Sequence, residues 1–207
     1  MKRNYQLMLD ERIEEITRTG ARPSLLLHAC CAPCSSYVLE YLSQYFSITL
    51  FFYNPNISSR QEYDLRYAEL VRLVSEMGLV AEVVNGDYEP ERFLEIARGL
   101  EHLPEGGERC RKCYALRLED AARVAAASGF DYFTTTLSIS PHKNAEWLNE
   151  IGEEMAQKYG CVYLNSDFKK RGGYKRSCQL SKEHGLYRQD FCGCAYSKAQ
   201  RDRRTTE

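Results

Sequence analysis

The chain has 207 residues, of which 43% are apolar and 28% charged, and its formal net charge is −1. A chain of this length buries roughly 70% of its unfolded surface on folding, so a core forms without a metal or disulfide to hold it. The composition excludes a disordered or low-complexity protein and indicates a globular one.

The first twenty residues exclude a secretory signal. Asp10, Glu11 and Glu14 interrupt any apolar stretch there, and a signal peptide needs an uninterrupted apolar centre. No later segment approaches the about 20 apolar residues that a membrane span requires. We therefore expect a cytoplasmic protein without a membrane partner.

Short apolar, β-rich runs alternate with helical patterns. The runs are residues 24–28, 48–53, 80–84, 132–136 and 161–164. This alternation predicts an α/β fold with a doubly wound, mostly parallel sheet of about five strands. We predict one domain over residues 1–207, with a core at about 22–166 and a basic, cysteine-containing carboxyl-terminal extension at about 167–207.

Unusual residues follow all five of these strands. They are Cys30–Cys34, Asn54–Asn56, Asp87, the loop 138–144 and Asp167. Ligands of open α/β sheets bind beyond the carboxyl ends of the strands, so these residues are expected to converge on one site. The loop 138–144, which contains Lys143, has the composition of an anion-binding loop. The two aspartates fit an acid or a metal ligand, and equally a helix cap.

The first cysteine group is Cys30, Cys31 and Cys34. It lies between a strand and a helix, where nucleotide-binding folds place a phosphate loop. A helix amino terminus lowers the pKa of nearby thiols, which favours metal ligation or nucleophilic attack. The alternative is a buried apolar pair with an incidental neighbour.

The second group, Cys110 and Cys113, opens a predicted helix. A Cys-x-x-Cys on a first helical turn places both sulfurs on one side of a metal, and a thioredoxin-like pair is the alternative. Together with Cys30 and Cys31 these residues supply four thiolates, enough for a [4Fe-4S] cluster or a tetrahedral zinc. The adjacency of Cys30 and Cys31 is awkward around one ion and favours the cluster.

The third group, Cys192 and Cys194, has one glycine between its members. Such a pair forms a strained disulfide suited to electron relay, or binds a metal; the alternative is a tight turn with two buried thiols. Cys161 and Cys178 stand alone and are predicted to be structural.

The carboxyl-terminal part is basic, with eleven Lys or Arg against five Asp or Glu from residue 167 to 207. This asymmetry indicates a polyanionic partner, or a solvated tail. Tyr174 stands between cations in the sequence. In sites for single-stranded RNA, cations of this kind bind the phosphates and an aromatic ring stacks on a base. The predicted nucleic-acid contacts are Lys143, Lys169, Lys170, Arg171, Lys175 and Arg176.

Five motifs carry a resemblance to a known family. They are LLHACCAPCS (26–35), FYNPNI (52–57), GERCRKC (107–113), TTTLSISPHK (134–143) and YRQDFCGC (187–194). Through them the chain resembles the cobalamin-independent epoxyqueuosine reductases of the QueH type. The resemblance implies a Rossmann-like (HUP or PP-loop-like) fold and reduction of the epoxide of epoxyqueuosine in a tRNA anticodon to queuosine.

The resemblance also implies a cofactor and residue roles. Cys30, Cys31, Cys110 and Cys113 are expected to hold a [4Fe-4S] cluster, and Cys192 and Cys194 to form a redox-active disulfide pair. Cys34 is expected beside the cluster on a second mononuclear metal, iron, that an aspartate completes. Asp87 or Asp167 is expected to protonate the leaving oxygen. A low-potential ferredoxin or flavodoxin is the expected electron donor.

Two other functions remain possible at this point. An ATP-dependent tRNA-modifying enzyme on a similar fold requires a glycine-rich loop after the first strand, where this chain has Cys30–Cys34. A zinc-stabilised RNA-binding module predicts a colourless protein that binds RNA without turnover.

Overall fold

Helices and strands alternate through the computed structural model, which describes residues 3–206. The described residues form eight α-helices, four β-strands and one 3-10 turn. The helices are α1 (Tyr5–Thr19), α2 (Ala32–Leu42), α3 (Arg60–Glu76), α4 (Pro90–Ala97), α5 (Glu108–Ala127), α6 (Ala145–Tyr159), α7 (Gly173–Glu183) and α8 (Ala195–Thr206). The strands are β1 (Ser24–His28), β2 (Ser47–Phe52), β3 (Glu82–Asn85) and β4 (Tyr132–Thr135), and the 3-10 turn is Thr136–Ile139.

The four strands form one parallel sheet in the order β3-β2-β1-β4. In the central strand, Leu25 is paired with Ile48 of β2 and with Tyr132 of β4. The chain therefore moves outward on one side of β1 to β3 and returns to the other side for β4. A crevice at the carboxyl ends of β1 and β4 follows from this reversal.

Helices cover both faces of the sheet, as the alternation of β1 requires. Leu25 and Leu27 pack in a core with the apolar sides of α1, α2 and α3. Leu26 points to the other face and packs in a second core with α5 and α6. No helix within residues 3–206 combines the length and the apolar character needed to cross a bilayer.

The predicted fifth strand is reduced to a single bridge between Phe133 and Tyr163. The amide of Leu164 donates to the carbonyl of Phe133, but the carbonyl of Leu164 accepts from the hydroxyl of Thr134. A side chain thus takes the place of the next backbone donor, and the ladder ends there. The third strand begins at Glu82 instead of Val80, which is fully exposed.

Residues beyond 167 fold onto the domain through α7, which packs against α2. Gly173 begins α7 where space is tightest: a Cβ there would lie 2.0 Å from the carbonyl oxygen of Phe168 and 2.5 Å from the ring of Tyr37. The first of these neighbours is backbone, so it cannot rotate away.

We expect Gly173→Ala to destabilise the protein by about 1–3 kcal/mol, the usual cost of forcing atoms into a packed site. Thermal unfolding followed by circular dichroism would register this as a lower Tm, by about 2–4 °C per kcal/mol at this chain length. Gln179→Ala, at an exposed position of the same helix, is the control and should leave Tm nearly unchanged. Equal Tm values for the two variants would contradict the packing argument.

Candidate metal centre

Cys30, Cys31 and Cys34 lie together where the chain passes from β1 into α2. Their sulfur atoms are all within 4.8 Å of one another, and those of Cys30 and Cys31 are 3.7 Å apart. Cys31 is the residue that caps α2, with extended backbone, and Pro33 follows in the first turn. Three soft ligands at this spacing suit a metal ion.

The three thiols titrate as a unit. Hydrogen bonds from Cys31 and Cys34 lower the pKa of Cys30 well below its ordinary value. The same bond to Cys30 raises the pKa of Cys31 to about 12, and bonds to its two neighbours raise the pKa of Cys34. Of the three sulfurs, Cys30 is the one whose negative charge its neighbours stabilise by hydrogen bonds.

Cys110 and Cys113 lie at the start of α5 and share a cleft with Cys192 and Cys194, which we term the cysteine cleft. The amide of Gly106 donates to the sulfur of Cys110 at 3.3 Å. Burial raises the pKa of Cys110, and raises that of Cys113 to about 12. Both sulfurs are thus poor anions until a metal or a nearby cation compensates their charge.

A second cavity of about 280 Å³, which we term the thiol cavity, contains the three-cysteine group. Glu105, Lys143 and Cys192 line both the thiol cavity and the cysteine cleft. The two spaces therefore adjoin at Cys192. The structure brings all three cysteine groups to one edge of the sheet, the carboxyl edge at which Cys30–Cys34 were predicted to lie.

Hydrogen bonds to the backbone hold the turn from Cys192 to Cys194. Arg66, which is 3% exposed, donates to the carbonyls of Phe191 and Cys192. Ser58 donates to the carbonyl of Gly193 through its amide and its hydroxyl. Gly193 has a φ of +113°, which favours glycine, and a Cβ there would meet Arg66 at 3.1 Å.

Arg117 places a buried positive charge between the cysteine groups. It is 2% exposed, donates to Asn54 and contacts the sulfur of Cys113. Burial opposes its charge, but Cys113 and Cys30 raise the pKa of the guanidinium. Arg117 follows Cys113 by four residues, so helical spacing was a signal that could have identified it. Arg66 had no comparable signal in the sequence.

His28 joins the ends of the strands that carry the site. Its Nδ1 lies 2.8 Å from the hydroxyl of Thr135 and its Nε2 lies 3.0 Å from the carbonyl of Tyr53. Burial, and then the charge of Arg117, lower the pKa of His28 to about 3. The neutral ring therefore donates to Tyr53 and accepts from Thr135, and so fixes the three strand ends relative to one another.

Neither predicted aspartate lines the thiol cavity or the cysteine cleft. Asp87 is exposed after β3, which lies two strands away from β1. Asp167 is buried, forms an ion pair with Lys169 at 2.9 Å and faces a separate groove. Asp87 does not reach the site because the order of the strands puts β3 two strands away from β1. Asp167 follows the segment that bridges β4, and its carboxylate is engaged by Lys169 at the other groove.

The predicted nucleic-acid contacts have different surroundings. Lys143 is 9% exposed and forms an ion pair with Glu105, so it lies inside the site and not on the surface. Ion pairs join Lys169 to Asp167, Arg171 to Asp10, and Arg176 to Glu40 and Glu183. Lys170 and Lys175 are exposed, and Tyr174 lines the thiol cavity. Cys161 and Cys178 line neither space.

The fold and the site define an α/β protein with a thiol group suited to a metal ion. A family model described as Epoxyqueuosine reductase QueH matches residues 25–200. The chain belongs to this family, which is a family of enzymes.

Curated relatives with the same name support this membership. One from Streptococcus pyogenes serotype M1 is 43% identical over 200 residues, which cover 95% of this chain and 78% of the relative. One from Staphylococcus epidermidis is 41% identical over 202 residues, which cover 95% of this chain and 85% of the relative. One from Thermotoga maritima is 34% identical over 190 residues, which cover 89% of this chain and 95% of the relative. Each is named epoxyqueuosine reductase QueH.

Proposed function

We propose that this protein reduces the epoxide of epoxyqueuosine in tRNA, giving queuosine-tRNA. The observation that carries the proposal is the meeting of three cysteine groups at one sheet edge in a chain that matches the family model over residues 25–200. Removal of the epoxide oxygen as water takes two electrons and two protons. A site rich in thiols and buried cations suits that chemistry.

Four cysteines fit a [4Fe-4S] cluster by their chemistry and surroundings. Cys30, Cys31, Cys110 and Cys113 are soft ligands from two adjoining spaces, and buried Arg117 offsets the negative charge of their thiolates. Cys34 lies with Cys30 and Cys31, where it would serve a second mononuclear iron. When bound, these groups supply single electrons and a Lewis acid for the epoxide oxygen.

The chain's own residues have separate roles in this proposal. Cys192 and Cys194 form the redox-active pair, and Cys192 reaches both the thiol cavity and the cysteine cleft. The thiol cavity receives the modified nucleoside, which must leave its stack for the reaction. Because Asp87 and Asp167 do not line this cavity, we assign the protons for the leaving oxygen to groups that do, among them His142 and Lys143.

The partners follow from the chemistry of the substrate. Tyr174 lines the thiol cavity. The cations that would hold the tRNA backbone lie before and after it on the same carboxyl-terminal segment: Lys169, Lys170, Arg171, Lys175 and Arg176. A low-potential ferredoxin or flavodoxin would supply the electrons. A tRNA substrate places the reaction in the cytoplasm.

Anaerobic purification, an absorption spectrum and assays of iron and sulfide test the cofactor. Incubation with epoxyqueuosine-tRNA and a low-potential reductant, followed by mass spectrometry of the nucleosides, tests the reaction. Conversion to queuosine without ATP is expected. A colourless, zinc-containing protein that binds tRNA without turnover would support the zinc module instead, and a requirement for ATP would support the ATP-dependent enzyme.

Replacement of Lys169, Lys170 and Arg171 by alanine should weaken tRNA binding and flatten its salt dependence. Each lost phosphate contact reduces the slope of log affinity against log salt by about 0.7–0.9, so the slope should fall by up to about 3. Binding assays at several salt concentrations measure this. Lys158→Ala, which removes an exposed lysine of α6, is the matched control, and an unchanged slope in the triple variant would assign this segment to a solvated surface.

A further inference from the structure

Two aromatic side chains among residues 3–206 are exposed, and they lie at different places. Tyr174 is 38% exposed and Tyr187 is 37% exposed. Tyr174 lines the thiol cavity, whereas Tyr187 lines neither the thiol cavity nor the cysteine cleft. Of the two, Tyr174 is therefore the ring that a molecule entering the thiol cavity can contact.

The backbone at Tyr174 is fixed. Tyr174 is the second residue of α7, and Gly173 before it packs against the carbonyl of Phe168 and the ring of Tyr37. The hydroxyl of Ser177 donates to the carbonyl of Tyr174 at 2.8 Å. The ring thus extends from a rigid helix start, and a ligand that contacts it restricts only two side-chain torsions.

Cations surround this ring. Lys170 and Lys175 are exposed, and neither forms an ion pair with any residue that the structure describes. Arg188 lines the thiol cavity beside Tyr174 and donates to the hydroxyl of Ser181 at 3.3 Å. An accessible ring among cations suits a nucleotide, because the base stacks on the ring while the phosphates pair with the cations.

The thiol cavity connects this ring with the cysteines. Its lining includes Tyr174 and Ser177 of α7 as well as Cys30 and Cys34 at the start of α2. The helices α2 and α7 pack against each other, so the ring and the sulfurs are held on neighbouring elements. A base stacked on the ring would therefore have its substituent inside the cavity that contains the thiols.

We propose that Tyr174 is a substrate-binding residue on which the target base of the tRNA stacks when this base enters the thiol cavity. The inference rests on the function proposed above and adds the contact that holds the base. A base that leaves the anticodon stack loses its neighbours, and the protein must replace that contact. An aromatic ring does so through its π-face.

The test compares the binding of epoxyqueuosine-tRNA with that of the same tRNA carrying an abasic nucleotide at the target position. The intact protein with its bound metal is used without oxygen and without a reductant, so that no turnover occurs. The wild type should bind the complete tRNA at least about 5-fold more tightly than the abasic tRNA, the lower end of what one stacked base contributes. Tyr174→Leu, which keeps an apolar side chain but removes the π-face, should bind both tRNAs equally.

Two further variants complete this comparison. Tyr174→Phe keeps the ring and should retain the preference for the complete tRNA. Tyr187→Leu removes an equally exposed ring away from the cavity and should change neither affinity. Because both rings are exposed, none of these substitutions should unfold the protein, and circular dichroism checks this.

The inference is overturned if Tyr174→Leu keeps the wild-type preference, or if it weakens the binding of both tRNAs by the same factor. In the second case the ring contacts the tRNA at another nucleotide. Equal affinities of the wild type for the two tRNAs, with normal reduction of the epoxide, would also overturn the inference but leave the proposed function standing. A preference that Tyr174→Leu abolishes, in a wild type that does not reduce the epoxide with a low-potential donor, would support the stacking contact and overturn the function.

Discussion

Cys110→Ser is expected to remove the visible iron-sulfur absorption and to lower turnover of epoxyqueuosine-tRNA by more than about 100-fold. Loss of a group that only supports a ligand already costs about 10–100-fold in metal affinity or activity, and loss of a ligand should cost more. Serine keeps the size of the side chain but offers a hard oxygen that iron in such a cluster binds poorly. The spectrum, the iron content and nucleoside mass spectrometry together measure this.

Cys161→Ser is the matched control for this substitution. The sulfur of Cys161 lies 3.7 Å from the carbonyl of Ala122 and lines neither the thiol cavity nor the cysteine cleft. The same chemical change should therefore leave iron content and turnover nearly intact. Normal turnover by Cys110→Ser, with the absorption gone, would show that the reaction does not use a cluster held by Cys110.

The sheet could be predicted where local pattern and tertiary structure agree. β1 has the predicted bounds, residues 24–28, because its apolar side chains are needed in cores on both faces. The segment 161–164 has equally apolar residues but forms only one bridge. The hydroxyl of Thr134 donates to the carbonyl of Leu164, which would otherwise accept the next backbone hydrogen bond of the ladder. Competition of this kind depends on a side chain about 30 residues away, and no local pattern contains it.

The place of Cys30–Cys34 was predictable because it needs only the rule that parallel strands end at one edge. Cys110 and Cys192 follow helices, not strands, so that rule does not place them. The position of Asp87 was not, because β3 lies at the far side of the sheet, and alternation of elements does not give strand order. Lys143 was predicted to contact nucleic acid, and its buried ion pair was not predicted. Glu105 and Cys192 are 38 and 49 residues away from it in sequence, so the burial of its charge is a property of the folded chain.

Arg117→Met is expected to lower the free energy of unfolding by about 1–3 kcal/mol and to reduce the iron content of the purified protein. A buried polar group that loses its hydrogen-bond partner carries its full desolvation penalty of about 1–3 kcal/mol, and bound thiolates lose a buried positive charge that offsets theirs. Here those groups are the side-chain oxygen of Asn54 and the sulfur of Cys113. Asn54 also donates to the carbonyl of Ala29, so the loss reaches the backbone that precedes Cys30.

Arg123→Met, on the same helix, separates this effect from a general loss of helix charge. Arg123 is exposed and pairs at 2.6 Å with the buried carboxylate of Asp120, which keeps Arg92 as a second partner at 2.7 Å. The loss of Arg123 therefore leaves no buried charge unpaired and should cost about 1 kcal/mol or less. Arg117→Lys keeps the charge but lacks the planar guanidinium that donates in several directions at once. It should therefore recover part of the stability and part of the iron content. Urea unfolding of the three variants, with iron assays on each, measures both effects. Equal losses in Arg117→Met and Arg123→Met would mean that the buried guanidinium does not hold the cysteine groups together.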